Sequence, residues 1–153
     1  MLTLITDRTA EDVRRANLLN NKGSSMTAQE YAEYISGMKG SYNAEDLNRV
    51  EAAVEYVLER LKLAGFNKPL EIRTNWKFTD FPTEAEMRRY LNNVRYIRTC
   101  LPRTEAPNAP EDMGFFTFEE ANDIEKILIA VDKAITNISL AWYYSAEVYA
   151  GEV

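Results

Sequence analysis

Apolar residues recur at three- and four-residue spacing in three stretches of the chain. Leu47, Val50, Val54, Val57 and Leu61 form the first, and Met87, Tyr90, Val94, Ile97 and Leu101 the second. The third is Ile124, Leu128, Val131, Ile135, Ile138, Trp142, Ser145 and Tyr149. Each keeps one helical face apolar along its length, the pattern of helices packed into a bundle. In the third stretch a second row, Ile127, Ala134, Ala141 and Val148, flanks the first. A sector that wide predicts a central helix contacted from more than one side.

Start signals agree with the periodicity. Thr9 with Asp12, Thr27 with Glu30, Asn43 with Asp46, Thr83 with Glu86 and Thr117 with Glu120 each set an N-cap oxygen three residues before an acidic side chain. That is the spacing of a capping box. They predict short helices from Thr9 to about residue 20 and from Thr27 to the glycines 37 and 40. Long helices are predicted from Asn43 to Gly65, from Thr83 to about Leu101, and from Thr117 to Ala150. Pro102 ends the fourth helix, and residues 102–116 are read as a loop. The last helix would be roughly 50 Å long, well beyond its neighbours.

Between the first two long helices the period changes. Leu70, Ile72, Thr74, Trp76 and Phe78 alternate with Glu71, Arg73, Asn75 and Lys77, as in a half-buried strand. Leu2 and Leu4 alternate with Thr3 and supply the natural partner. The expected fold is therefore mainly α: one helical-bundle domain over residues 1–153, with three long helices, two short ones and a minor two-stranded β element.

Composition narrows the chemistry. The chain is 46% apolar and 27% charged, ordinary for a globular domain, and no apolar run approaches the roughly 20 residues a bilayer demands. The N-terminus does not read as a signal peptide. Histidine is absent, which removes Ser–His and Cys–His nucleophile pairs, His-ligated zinc and the Glu-x-x-His di-iron motif. No glycine-rich phosphate loop occurs, and neither a cofactor nor a metal is expected. The single cysteine, Cys100, falls beside Ile97 and Leu101 and reads as a buried small hydrophobe.

Charge is unevenly spread. Residues 1–70 carry a net −1, residues 71–103 a net +3 and residues 104–153 a net −8, together the −6 of the chain. The basic part, Arg73, Lys77, Arg88, Arg89, Arg95, Arg98 and Arg103, is expected to face Glu119, Glu120, Asp123 and Glu125 at the start of the last helix. With a pI near 4.8, neither nucleic acid nor a membrane is an expected partner.

Three groups of residues invite a functional reading. Glu71 and Asp80 could serve as an acid–base pair, though so acidic a chain produces such pairs readily. Glu119, Glu120, Asp123 and Glu125 lack the glycine-centred calcium loop and suit the positive end of a helix. Trp142, Tyr143, Tyr144 and Tyr149 make the end of the last helix aromatic on several sides, the composition of an interface anchor.

Four segments together carry a resemblance. They are Lys39–Glu51, Thr74–Trp76 with Pro82-Thr83, Tyr90–Arg95, and Ala141–Ser145 with Tyr149–Glu152; Ile5–Thr9 agrees with them. In this order the chain resembles a family of uncharacterised prophage proteins of Gram-positive gut bacteria, encoded among tail and baseplate genes, and it has the extent of a complete member. The resemblance implies a virion component or tail accessory, in the virion or in the bacterial cytoplasm during assembly. Its implied partners are other phage tail or baseplate proteins, or further copies of itself. The function expected is a non-enzymatic structural or adaptor module. The alternatives are a cell-wall hydrolase working through carboxylates, and a small host-factor-binding regulator.

Overall fold

The computed structural model describes residues 2–101 and 104–151, with side chains through Ala146 in the last helix. It is mainly helical. α1 (Ala10–Lys22) and α2 (Ala28–Ile35) form a short hairpin around a 3-10 turn, followed by α3 (Ala44–Leu63), α4 (Glu84–Cys100) and α5 (Phe118–Gly151). All five capping pairs form. In each, the N-cap side chain accepts a backbone amide while the acidic side chain accepts the N-cap amide.

The three seams meet in one core. Val50, Val54, Val57 and Leu61 of α3, Tyr90, Val94 and Ile97 of α4, and Ile124, Ile127, Leu128 and Val131 of α5 are all almost fully removed from solvent. At about 1.5–3 kcal/mol for each large apolar side chain, this burial is the main stabilising term. α1 adds Ala16 and Leu19, whereas α2 buries none of its residues. Gly40 lets the chain press against the start of α1, because a Cβ there would lie 2.0 Å from the carbonyl oxygen of Asp12.

The long helices run parallel. Arg49 and Arg60 of α3 reach Glu125 and Asp132 of α5 in the same order along both helices. Residues 64–83 must therefore return the chain to the starting end. Trp76 lies beside Asn48, Arg73 beside Glu51 and Lys68 beside Tyr96, so this segment runs antiparallel to both α3 and α4. Residues 104–117 return likewise, with Arg98 donating to the carbonyl of Pro107 and Arg95 to those of Pro110 and Glu111.

No strand occurs among the described residues, which corrects the expected β element. The extended segments are present, but their backbone partners are helix side chains. Asn48 accepts from the Trp76 amide at 2.7 Å and donates to its carbonyl at 2.9 Å, while Glu51 accepts the Arg73 amide at 2.9 Å. On α5, Asn122 makes the same pair of bonds with Arg8, both at 3.0 Å, and Glu125 accepts the Ile5 amide at 2.6 Å. An Asn-x-x-Glu face on each helix thus takes the place of a neighbouring strand. Two-residue alternation reports an extended backbone with one wet face, and it does so whether the other face lies on a sheet or between helices.

Candidate interaction surface

The buried carboxylates are engaged with arginines and backbone amides. Glu125, fully buried, accepts from Ile5 N, from Arg8 Nη2 at 2.7 Å, and from Arg49 Nε and Nη2 at 3.1 and 2.7 Å. Glu51, 1% exposed, accepts from Arg73 N, Trp76 Nε1 and both terminal nitrogens of Arg89. Each carboxylate has four donors, as a buried charge requires if it is not to cost several kcal/mol. Tyr90, 1% exposed, feels both carboxylates and shares a hydrogen bond with Tyr42. Burial pushes both phenols above the ordinary tyrosine range, and the neighbouring Glu125 adds to the shift.

Asp80 accepts from Arg73 Nη2 at 2.6 Å and from the Lys77 amide at 2.8 Å, which makes it a turn-closing group. Glu71 contributes its backbone carbonyl, to Arg89 and Asn93, with the residue itself exposed. Nothing in the hydrogen bonding joins the two carboxylates. Cys100 is buried and donates to the Tyr96 carbonyl, and burial pushes its thiol up.

The arginines of α4 do not face the acidic start of α5. Arg89 turns to Glu51, Arg88 to Glu84, and Arg95 and Arg98 to carbonyls of the returning segment, while Arg73 holds Asp80 and Glu86. The reason is topological: the return segments lie between successive helices and bring orphan carbonyls within reach. Of the acidic set, Glu120 caps α5, Asp123 pairs with Lys126 and Glu125 turns inward to Arg8 and Arg49.

Among the described residues exposed apolar side chains gather at two places, apart from scattered single ones such as Phe81 and Phe115. One is the far part of α5. At 34 residues this helix is about 50 Å long, against about 30 Å for α3 and about 25 Å for α4. Ile135 is the last buried residue of its seam, and from Thr136 to Ala146 every residue is exposed. Ile138 and Trp142, which the periodicity assigns to the core, are 43% and 76% exposed. The seam continues in sequence after the helices that could fill it have ended. Tyr143 and Tyr144 are 65% and 60% exposed and pack edge-on against each other, with centroids 5.7 Å apart. The side chain of Tyr149, the fourth expected anchor, lies outside the described residues. No charged residue falls between Lys133 and Glu147.

The other place is a groove of about 560 Å³ at the opposite end, where the α1–α2 hairpin meets the start of α3 and the end of the first return segment. Tyr31, Tyr34, Ile35, Met38, Trp76 and Phe78 line it, with Asn20, Asn43 and Glu45 among its polar groups. The helix α2 therefore lies far from the α5 tip and leaves it uncovered. Among the described residues no group of acidic or cysteine side chains is arranged to hold a metal ion, and no helix is long and apolar enough to cross a membrane. No protein-family model, curated protein or solved structure matches the chain.

Proposed function

We propose that this chain is a non-enzymatic structural or adaptor module of a phage tail or baseplate, acting by protein–protein contact through the exposed end of α5. The observation that carries the contact is the run from Thr136 to Ala146, helical, exposed, free of charge and bearing Trp142, Tyr143 and Tyr144. A helix apolar on several sides gains by being covered, and tryptophan and tyrosine are the side chains that dominate binding energy at interfaces. The non-enzymatic reading is supported by how the internal carboxylates are used: Glu51, Asp80 and Glu125 are each occupied by arginine and backbone donors.

The tail or baseplate setting rests on the resemblance carried by segments such as Lys39–Glu51 and Ala141–Ser145, and the protein would act in the virion or in the host cytoplasm during assembly. Capture of neighbouring tail proteins by the tagged chain, and mass spectrometry of purified virions, test the reading. Capture should be lost in Tyr143→Ala/Tyr144→Ala. A chain absent from virions that captures no tail protein would defeat it.

A further inference from the structure

We infer that the groove between the α1–α2 hairpin and the start of α3 binds a quaternary ammonium ion, with Glu45 as the counter-charge and Tyr31, Tyr34 and Phe78 as aromatic walls. The site stands apart from α5 and does not depend on contact through that helix. At about 560 Å³ the groove has the size of a small-molecule pocket, for which about 300–1,000 Å³ is usual. Tyr31 and Phe78 are 56% and 82% exposed, and Trp76, almost fully buried, also lines it. Among the described residues none of these rings stacks on another aromatic ring, so their faces are not used on one another. Trp76 alone has a cation in place already. The Arg73 guanidinium lies 3.7 Å from its ring centroid, and Asp80 and Glu86 neutralise that arginine.

Among the residues lining the groove, Glu45 alone carries a charge. No arginine or lysine among the described residues pairs with it, because the cations of the surrounding elements are held elsewhere. Arg15 is held by Glu33, Lys22 by Glu30, Lys39 by Asp7, and Arg49 by Asp46 and Glu125. A Cβ on Gly37 would stand 3.2 Å from Glu45 Oε2, which sets the carboxylate against backbone that itself lines the groove. The start of α3 does not need this acid, since Asp46 already accepts the Asn43 amide in the capping box. An acid in a first helical turn is ordinary. An uncompensated one beside three open aromatic rings is the arrangement that draws a cation.

The polar groups on hand select the kind of cation. A primary ammonium has three N–H donors, each needing an acceptor once water is removed. Asn43 Oδ1 is already taken by the Glu45 amide at 2.9 Å. A quaternary ammonium has no N–H to satisfy. Its methyl groups pack on the rings and on Met38, while its charge meets the ring faces and the carboxylate. The net charge of −6 favours the approach of such an ion.

Titration with choline chloride, followed by amide chemical shifts of the isotopically labelled chain, tests this against a sodium chloride blank of equal ionic strength. Saturable shifts should gather at Tyr31, Tyr34, Glu45 and Phe78 and leave Tyr143 and Tyr144 unmoved. The neutral analogue, with a tert-butyl group in place of trimethylammonium, should bind wild type at least about tenfold more weakly. Glu45→Gln and Phe78→Leu, both at exposed positions, should each weaken choline binding about fivefold or more while the thermal melt stays that of wild type. Methylammonium chloride should bind more weakly than choline, and the reverse order would overturn the quaternary assignment. Absence of a saturable shift at the groove would overturn the inference as a whole. Equal binding of choline and its neutral analogue would do so too, since the groove would then take an apolar group and not a cation. That comparison is made on wild type and stands whatever the substitutions do to the fold.

Discussion

Asn48 holds both backbone polar groups of Trp76, accepting from its amide at 2.7 Å and donating to its carbonyl at 2.9 Å. One side chain on a helix so performs the work of an adjacent strand, and Trp76 is thereby fixed with its indole 4% exposed in the core. The same bonds join Asn122 to Arg8, and in both cases a glutamate one turn later accepts the amide three residues earlier in the extended segment.

Replacing Asn48 by alanine should orphan an amide and a carbonyl together. Each unsatisfied group costs about 1–3 kcal/mol, and partial rewetting of an extended segment recovers some of it. A loss of about 2 kcal/mol or more in urea unfolding is expected. Fluorescence of Asn48→Ala in a Trp142→Phe background should shift to the red as Trp76 is wetted; unaltered stability and emission would mean that Asn48 is not what holds the segment.

Glu125→Gln and Glu51→Gln should be more damaging. Each substitution removes a charge that balances buried or partly buried arginines, Arg8 and Arg49 in one case, which Glu125 shares with Asp46, and Arg89 in the other. Breaking a buried ion pair from one side costs about 3–5 kcal/mol. Chemical unfolding of both variants measures it, and a cost below about 1 kcal/mol would show that water or rearrangement replaces the carboxylate.

What the chain declares locally it declares well. Thr9, Thr27, Asn43, Thr83 and Thr117 start five helices because a cap and its box lie within four residues of each other, and the seams are periodic because a helix is. Relations between distant elements are not written that way. Asn48 and Glu51 look like ordinary polar residues of a helix until the segment from Arg73 to Trp76 is laid against them. The one available signal was Asn-x-x-Glu occurring on two of the long helices, each time astride a seam residue, Val50 or Ile124. Trp142 was legible as apolar but not as exposed, because a seam does not record where its neighbours stop. Helix length did record it: 34 residues against 20 and 17.

The Tyr42–Tyr90 pair predicts an alkaline limit to stability. Burial raises both phenols above their ordinary value of about 10, so the folded state keeps them neutral while the unfolded chain can ionise. Their contribution is fully present below that pH and is lost as pH rises past it. Unfolding should begin above about pH 10. Absorbance of phenolate at the transition should rise with loss of helical circular dichroism, and Tyr90→Phe should move the transition upward. Ionisation of every tyrosine with the fold intact would contradict it.

Substitutions in α5 should separate holding the fold from using it. Val131 is wholly buried, and Val131→Asp would place an unpaired charge between three helices, as would Val54→Asp in α3. Both should cost several kcal/mol, enough to abolish the cooperative melt of a domain whose total stability is roughly 5–15 kcal/mol. Tyr143→Ala and Tyr144→Ala lie on the same helix, but their side chains touch no part of the core. Their melting temperature should stay within about 2 °C of wild type, since surface changes away from packing rarely exceed 0.5 kcal/mol. Binding should move the other way, with capture lost in the tyrosine variant while its melt is unchanged. If Tyr143→Ala/Tyr144→Ala instead lowered the melting temperature as Val131→Asp does, the far part of α5 would be packed within the monomer and could not serve as a free surface.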